Sequence, residues 1–311
     1  MATKRRGSHG LSVVDLLRGG ALIVGFLAVM FGDKKGSSSI WLKADAVMLG
    51  MRIPGVLFPQ AFLDMMFDGD YDSNLIFLAR PGILYAALIA ILYYLTIKDK
   101  DDASIGAWLI ARTLSMITVL MVEMNGLDAL SNPKASLRMS SNRIPTLMMM
   151  LVCLGHIVHL LRFQEYASEG RGSSVVGATC TRFHLFIDVL FDFPFLMFYL
   201  MYPSEALASL GIKGTGPAHD FLVRMMVAIA LTHFLFSFIS LQSNNERDQR
   251  ACLIIRFLGI VLLLPFDVYQ HYTTGLWTEM TCGVTFQFVI MGVMTLNSFV
   301  GAFYKPKAKT H

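Results

Sequence analysis

The sequence predicts an all-α polytopic membrane protein: two tandem four-helix repeats (eight spans) plus an N-terminal membrane-associated helix. Three observations predict it. The 311 residues are 55% hydrophobic and only 15% charged, where a soluble domain carries about 25% charge. The apolar runs approach the roughly 20 residues needed to cross a bilayer. Charged residues inside those runs also recur at one spacing. Arg80, Arg112 and Glu123 return as Arg224, Arg256 and Asp267, each 144 residues later, and Pro59 returns as Pro203. The flanks agree, Phe77-Leu78-Ala79-Arg80 with Phe221-Leu222-Val223-Arg224 and Leu109-Ile110-Ala111-Arg112 with Leu253-Ile254-Ile255-Arg256. Charge is expensive in a membrane, so a chain that carries it twice in register reads as a duplicated unit with a repeated polar core.

The first apolar run, Gly19–Gly32, follows Asp15 and Arg18 and is short for a span. An interfacial or re-entrant helix is expected there. Spans are expected at roughly 41–61, 75–97, 104–125 and 143–163, then 183–202, 219–241, 251–269 and 283–304. Strands of a membrane barrel would be half as long and alternating. The predicted units are a basic N-terminus with its helix (1–40), a first repeat (41–164), a polar linker (165–181), a second repeat (182–304) and a basic tail (305–311).

Loop charge orients the chain. With eight spans and a cytoplasmic C-terminus, Lys34, Lys35, Lys98, Lys100, Arg162, Arg171, Arg247, Arg250 and the tail lysines share the cytoplasmic side. The acidic loop with Asp64, Asp68, Asp70 and Asp72 faces the other side, while Lys134, Arg138 and Arg143 are the exceptions to the positive-inside pattern. Both termini are then cytoplasmic. Four spans per repeat is an even number, so the copies share one orientation about an axis along the membrane normal.

The second copy ends one helix at Tyr202-Pro203, passes Leu210-Gly211 in a short loop, and opens the next helix with Leu222-Val223-Arg224. This resembles the DoxX-like group of four-helix membrane proteins, with their proline-ended first helix and Arg-headed second. The resemblance covers both halves, more clearly the second. It implies a four-helix bundle in each half. Some members of that group act as small membrane subunits of redox systems, and no catalytic residue carries over.

Arg112 and Glu123 share a helix face but stand roughly 16 Å apart along it, too far to pair. The expected ion pairs are Arg80–Glu123 and Arg224–Asp267, between consecutive antiparallel helices, with Arg112 and Arg256 left for other partners. Structural stapling is preferred to a ligand pathway for these four, since both copies keep them. Activity is better sought where the copies differ. His156 and His159 share one face; His184, Asp188 and Asp192 form a stripe at i, i+4, i+8; His233 is expected at similar depth. Together with Arg112 and Arg256 they form the candidate ligand cluster. Imidazole and carboxylate could bind a metal or exchange protons, but no HxxxH or HExxH spacing is present, so interhelical contacts are preferred and no metal is predicted. Asp68-Gly69-Asp70-Tyr71-Asp72 starts like a calcium loop, yet the twelfth position is Ala79 rather than Glu. A solvated acidic loop is expected.

The four cysteines are scattered, with no CxxC pair, which excludes a zinc ribbon or redox dithiol. No basic face lies outside the membrane flanks, which excludes nucleic acid as a partner. The tail Lys307-Ala308-Lys309-Thr310-His311 resembles a dilysine retrieval signal for the endoplasmic reticulum, an address read from the cytoplasm. The expected function is non-enzymatic and needs no cofactor. It is a binding or accessory protein accommodating a lipid or small apolar molecule between its repeats, beside a membrane-protein partner or a second copy. The alternatives are a transporter using the repeat interface and a membrane enzyme using the His/Asp cluster.

Overall fold

The structure, a computed structural model, describes residues 13–31, 34–97, 102–131, 137–140, 144–167, 179–212, 215–243, 245–274 and 282–304. The described chain is almost wholly helical: α1 (Val13–Phe31), α2 (Lys34–Gly50), α3 (Pro54–Leu57), α4 (Pro59–Met66), α5 (Ser73–Thr96), α6 (Asp102–Ala129), α7 (Ile144–Ala167), α8 (Cys180–Met201), α9 (Pro203–Ser209), α10 (Pro217–Leu241), α11 (Glu246–Thr274) and α12 (Cys282–Phe303). Among the described residues, six helices are long and apolar enough to cross a membrane, and a seventh span results if one bent pair is counted. Phe183, Phe186, Leu190 and Phe193 of α8 point outward, as lipid-facing side chains do and those of a soluble protein seldom do in such numbers.

Helix starts follow local chemistry. Asp72 accepts from Leu75 N at 2.8 Å and caps α5, and Thr179 accepts from Arg182 N at 3.1 Å and caps α8. Proline opens α3, α4, α9 and α10, where its missing N–H costs nothing. The same property corrects the expected continuous span over 41–61. Pro54 and Pro59 each start a new helix, and the segment folds as Ser38–Leu57 followed by Pro59–Met66 at 115°. Pro203 likewise separates α8 from α9. The acidic loop is solvated as expected, with Asp64, Asp70 and Asp72 exposed, and it also carries a short strand. Phe67–Gly69 forms β1 and pairs antiparallel with β2 (Leu137–Met139), which sets Asp68 opposite Arg138.

The order of packing departs from the order of the chain. α10 lies against α5, α6 and α8, and α5 against α2, α10 and α11. α7 covers α6 and α2, while α12 covers α11 and α8. Consecutive α5 and α6 meet chiefly near their connecting loop, where Trp108 packs on Tyr93 at 4.3 Å and donates to Thr96 Oγ1 at 2.7 Å. One apolar core runs through α2, α5, α6, α8, α10 and α11. A smaller cluster around Trp41, Leu22, Met116 and Val152 ties α1 to α2, α6 and α7. α1 thus docks on the bundle. α7 runs on to Ala167, past the expected boundary at 164; most of the expected linker and the tail lie outside the described residues.

Candidate functional site

In the first half the buried polar site is centred on Arg112. Its Nε and Nη2 donate to Asp45 Oδ2 and Oδ1 at 2.6 and 2.9 Å, and its Nη1 donates to Thr232 of α10 at 3.1 Å. Arg112 and Asp45 are 3% and 2% exposed, so this is a bidentate ion pair held out of solvent. His156 Nε2 stands 3.4 Å from Asp45 Oδ2. Trp41, one turn before Asp45 on α2, donates its indole N–H to His156 Nδ1 at 3.3 Å. Indole N–H only donates, so Nδ1 accepts and the ring proton sits on Nε2, facing Asp45. His159 stacks on Trp41 with centroids 5.3 Å apart, its Nδ1 3.2 Å from Ser38 Oγ. The helical spacings i, i+4 (Trp41, Asp45) and i, i+3 (His156, His159) bring each pair onto one face.

The second half holds a matching site centred on Arg256. Its Nε donates to Asp188 Oδ1 at 3.0 Å, its Nη2 pairs with Asp192 Oδ2, and Nη2 lies 3.4 Å from His233 Nδ1. His233 Nε2 donates to the Cys252 carbonyl at 3.0 Å. A guanidinium only donates and a carbonyl only accepts, so His233 is neutral with its proton on Nε2. Asp188, Asp192 and His233 offer ligand atoms within 4.8 Å of one another, the spacing a metal ion would need. The Arg256 guanidinium touches all three, so the position between them is already held by a cation.

Each site borders a cavity. Cavity 1, about 120 Å³, is walled by Asp45, Leu49, Arg112, Met116, Thr146 and Met225 among others. Cavity 2, about 190 Å³, is walled by Pro81, Phe191, Asp192, Arg256, Ile260 and Ile290 among others. Most of both walls is apolar. Methionine dominates the first, with Met48, Met65, Met66, Met148 and Met149 besides those named; aromatic rings are prominent in the second.

The structure joins Arg256, Asp188, Asp192 and His233, and separately Arg112 and His156, with His159 alongside. It separates His184, whose Nδ1 lies 2.8 Å from Asn297 Oδ1 and whose carbonyl accepts from Asn297 Nδ2, tying α8 to α12. The expected Arg80–Glu123 pair does not form. Arg80 Nε and Nη1 are buried without a hydrogen-bond partner, the guanidinium lying 5.8 Å from the centroid of Phe266 on α11. Glu123 accepts from Thr146 of α7 at 2.9 Å. The reason is the packing order: α5 faces α11, and α6 faces α10. Arg224 donates to the Leu200 carbonyl at 3.2 Å, while the Asp267 side chain, Lys307 and Lys309 lie outside the described residues. Sequence reasoning missed Asp45 and Trp41. The available signal was Asp45 itself, a lone carboxylate within an expected span, 143 residues before Asp188.

Residues 46–303 match the family described as a domain of unknown function, DUF8292. The chain belongs to this family. The DUF8292 match begins one residue after Asp45 and ends at the last residue of α12, so it takes both halves as one unit and leaves α1 outside. No curated protein and no solved structure matches the chain.

Proposed function

We propose that this DUF8292 chain is a membrane-embedded binding protein, made of two four-helix repeats that cross eight times, whose two cavities accommodate a lipid segment or small amphiphile. The repeat reading is supported by residues that meet their own counterparts. Gly82 of α5 faces Met226 of α10 at 3.6 Å from a built Cβ, and Ser104 of α6 donates to Asp248 of α11 at 2.5 Å. Each pair is separated by 144 residues, and a residue touches its counterpart only on a twofold axis. The contacts lie at different depths, roughly 20 Å apart along the helices at 1.5 Å per residue, so the axis follows the helices, as parallel repeats require. The resemblance of each half to DoxX-like bundles belongs to the same reading.

One observation carries the functional reading. The cavities are counterparts: Arg112, Met116, Thr146 and Met225 wall the first, and Arg256, Ile260, Ile290 and Pro81, each 144 residues away, wall the second. Each combines an apolar wall with a buried ion pair, the arrangement that binds a molecule with an apolar body and one polar end. The ion pairs are bonded within themselves, which favours binding over transport. Arg256 at the centre of the His/Asp cluster favours binding over metal-dependent catalysis. The loop charges and dilysine tail support residence in the endoplasmic reticulum membrane, with both termini cytoplasmic and lipid, a second copy or another membrane protein as partner.

Photo-crosslinking tests the binding reading. A diazirine-bearing fatty acid added to the purified chain in dodecyl maltoside should label peptides around Met148–Val152 or Phe191–Leu196. Ala230→Phe, which fills cavity 2, should reduce the second label. Labelling spread over the outward residues Phe183, Phe186 and Leu190, and indifferent to Ala230→Phe, would overturn it.

A further inference from the structure

The two sites differ in charge. In the first half one guanidinium, Arg112, faces one carboxylate, Asp45. The other charges on that cavity wall, Arg52 and Glu123, also balance. In the second half one guanidinium, Arg256, faces two carboxylates, Asp188 and Asp192. His233 is neutral by its bonding to Cys252 and Arg256, and Arg80 lies over Phe266 and makes no ion pair with Asp188 or Asp192. Among the described residues, the Arg256–Asp188–Asp192 cluster at the edge of cavity 2 therefore carries one excess negative charge, with Asp192 and Arg256 on the cavity wall and Asp188 buried behind them. Its source is a single position. Asp45 and Asp188 are 143 residues apart, and the same shift carries Leu49 of cavity 1 onto Asp192 of cavity 2. Asp188 adds a second observation: at 0% exposure its Oδ2 has no hydrogen-bond partner.

An uncompensated carboxylate inside a membrane is costly, and a bound cation offsets it. The wall indicates which kind of cation. Phe77, Tyr85, Phe191, Phe195 and Tyr199 line cavity 2, and aromatic faces attract an ammonium through their quadrupole. A hard metal ion would need about six oxygen ligands; here the guanidinium already lies among the carboxylates and the remaining wall is mostly apolar. The volume of about 190 Å³ slightly exceeds the roughly 150 Å³ known to admit benzene. Building on the binding function proposed above, we infer that cavity 2 is selective for a small organic monocation, an ammonium group on an aryl or short alkyl body, with Asp192 as its counter-charge. Cavity 1, balanced and methionine-lined, has no such selectivity.

Isothermal titration calorimetry on the full chain in dodecyl maltoside compares two probes of similar size, 2-phenylethylammonium and the neutral 2-phenylethanol. The wild type should bind the ammonium at least about tenfold more tightly. Asp192→Leu, which installs the residue found at the first-half counterpart, should abolish that preference while leaving the alcohol bound. Should Asp192→Leu fail to fold, Phe195→Leu, which removes an aromatic face and keeps the charge cluster, should still narrow the preference severalfold. Equal binding of both probes by the wild type overturns the cation inference but leaves the binding reading standing. A preference that survives Asp192→Leu, or Phe195→Leu where that variant replaces it, overturns the inference as well. If neither probe binds, the cation inference is lost, and the photo-crosslinking result decides the cavity reading separately.

Discussion

Replacing Asp45 with Leu removes the carboxylate that holds Arg112. The guanidinium then keeps Thr232 Oγ1 and the Met116 sulfur but loses two charge-assisted bonds of 2.6 and 2.9 Å at 2% to 3% exposure. Stranding one member of a buried pair costs about 3–5 kcal/mol, a factor of roughly one hundred to several thousand in the folded population. Removing both charges behaves differently, because Asp45→Leu with Arg112→Met leaves an apolar contact of similar volume, often close to neutral. The assay is a double-mutant cycle on unfolding of the purified chain in detergent. Each single variant should lose about 3–5 kcal/mol, and the double should lose less than either single. Losses that simply add would show that Arg112 and Asp45 do not act as a unit.

Arg80→Met should match or exceed the wild type in the same unfolding assay, because Arg80 buries two nitrogens without hydrogen-bond partners; a loss like that of Arg112→Met would contradict the unpartnered geometry. Gly155→Ala should destabilise by about 1–3 kcal/mol, because the added methyl overlaps the Trp41 indole, and Trp41→Leu should relieve the penalty; an unchanged unfolding midpoint would mean that α2 and α7 are not in contact there. Replacing Lys307 and Lys309 with Ser should release the protein from the endoplasmic reticulum towards later compartments, followed with an internal epitope near Gly170 so that the tail stays free. Unchanged localisation would leave those lysines as topological charges only.

Length, apolarity and the repeated charges were legible in the sequence because they depend on the lipid environment alone. A helix in a bilayer must be about 20 apolar residues long whatever it packs against, so the positions of α5, α6, α7, α8, α10 and α11 could be read directly. Pro203 ends α8 as read from the sequence, but the new helices that Pro59 and Pro203 open were not foreseen. Pairing could not be read this way. Arg80 and Glu123 sit at matching depths on consecutive helices, yet a membrane helix gains nothing hydrophobic from choosing its sequence neighbour over another. α5 found α11 and α10 found α6, and that exchange keeps Arg80 away from Glu123. Asp45 went unnoticed because it falls one residue out of the 144-residue register, a slip that only the three-dimensional site reveals. The sequence by itself determined that charges would be buried twice. Only the tertiary structure decided that Arg112 would meet one carboxylate and Arg256 two, because burial forces each guanidinium to take whichever acceptors its neighbouring helices present.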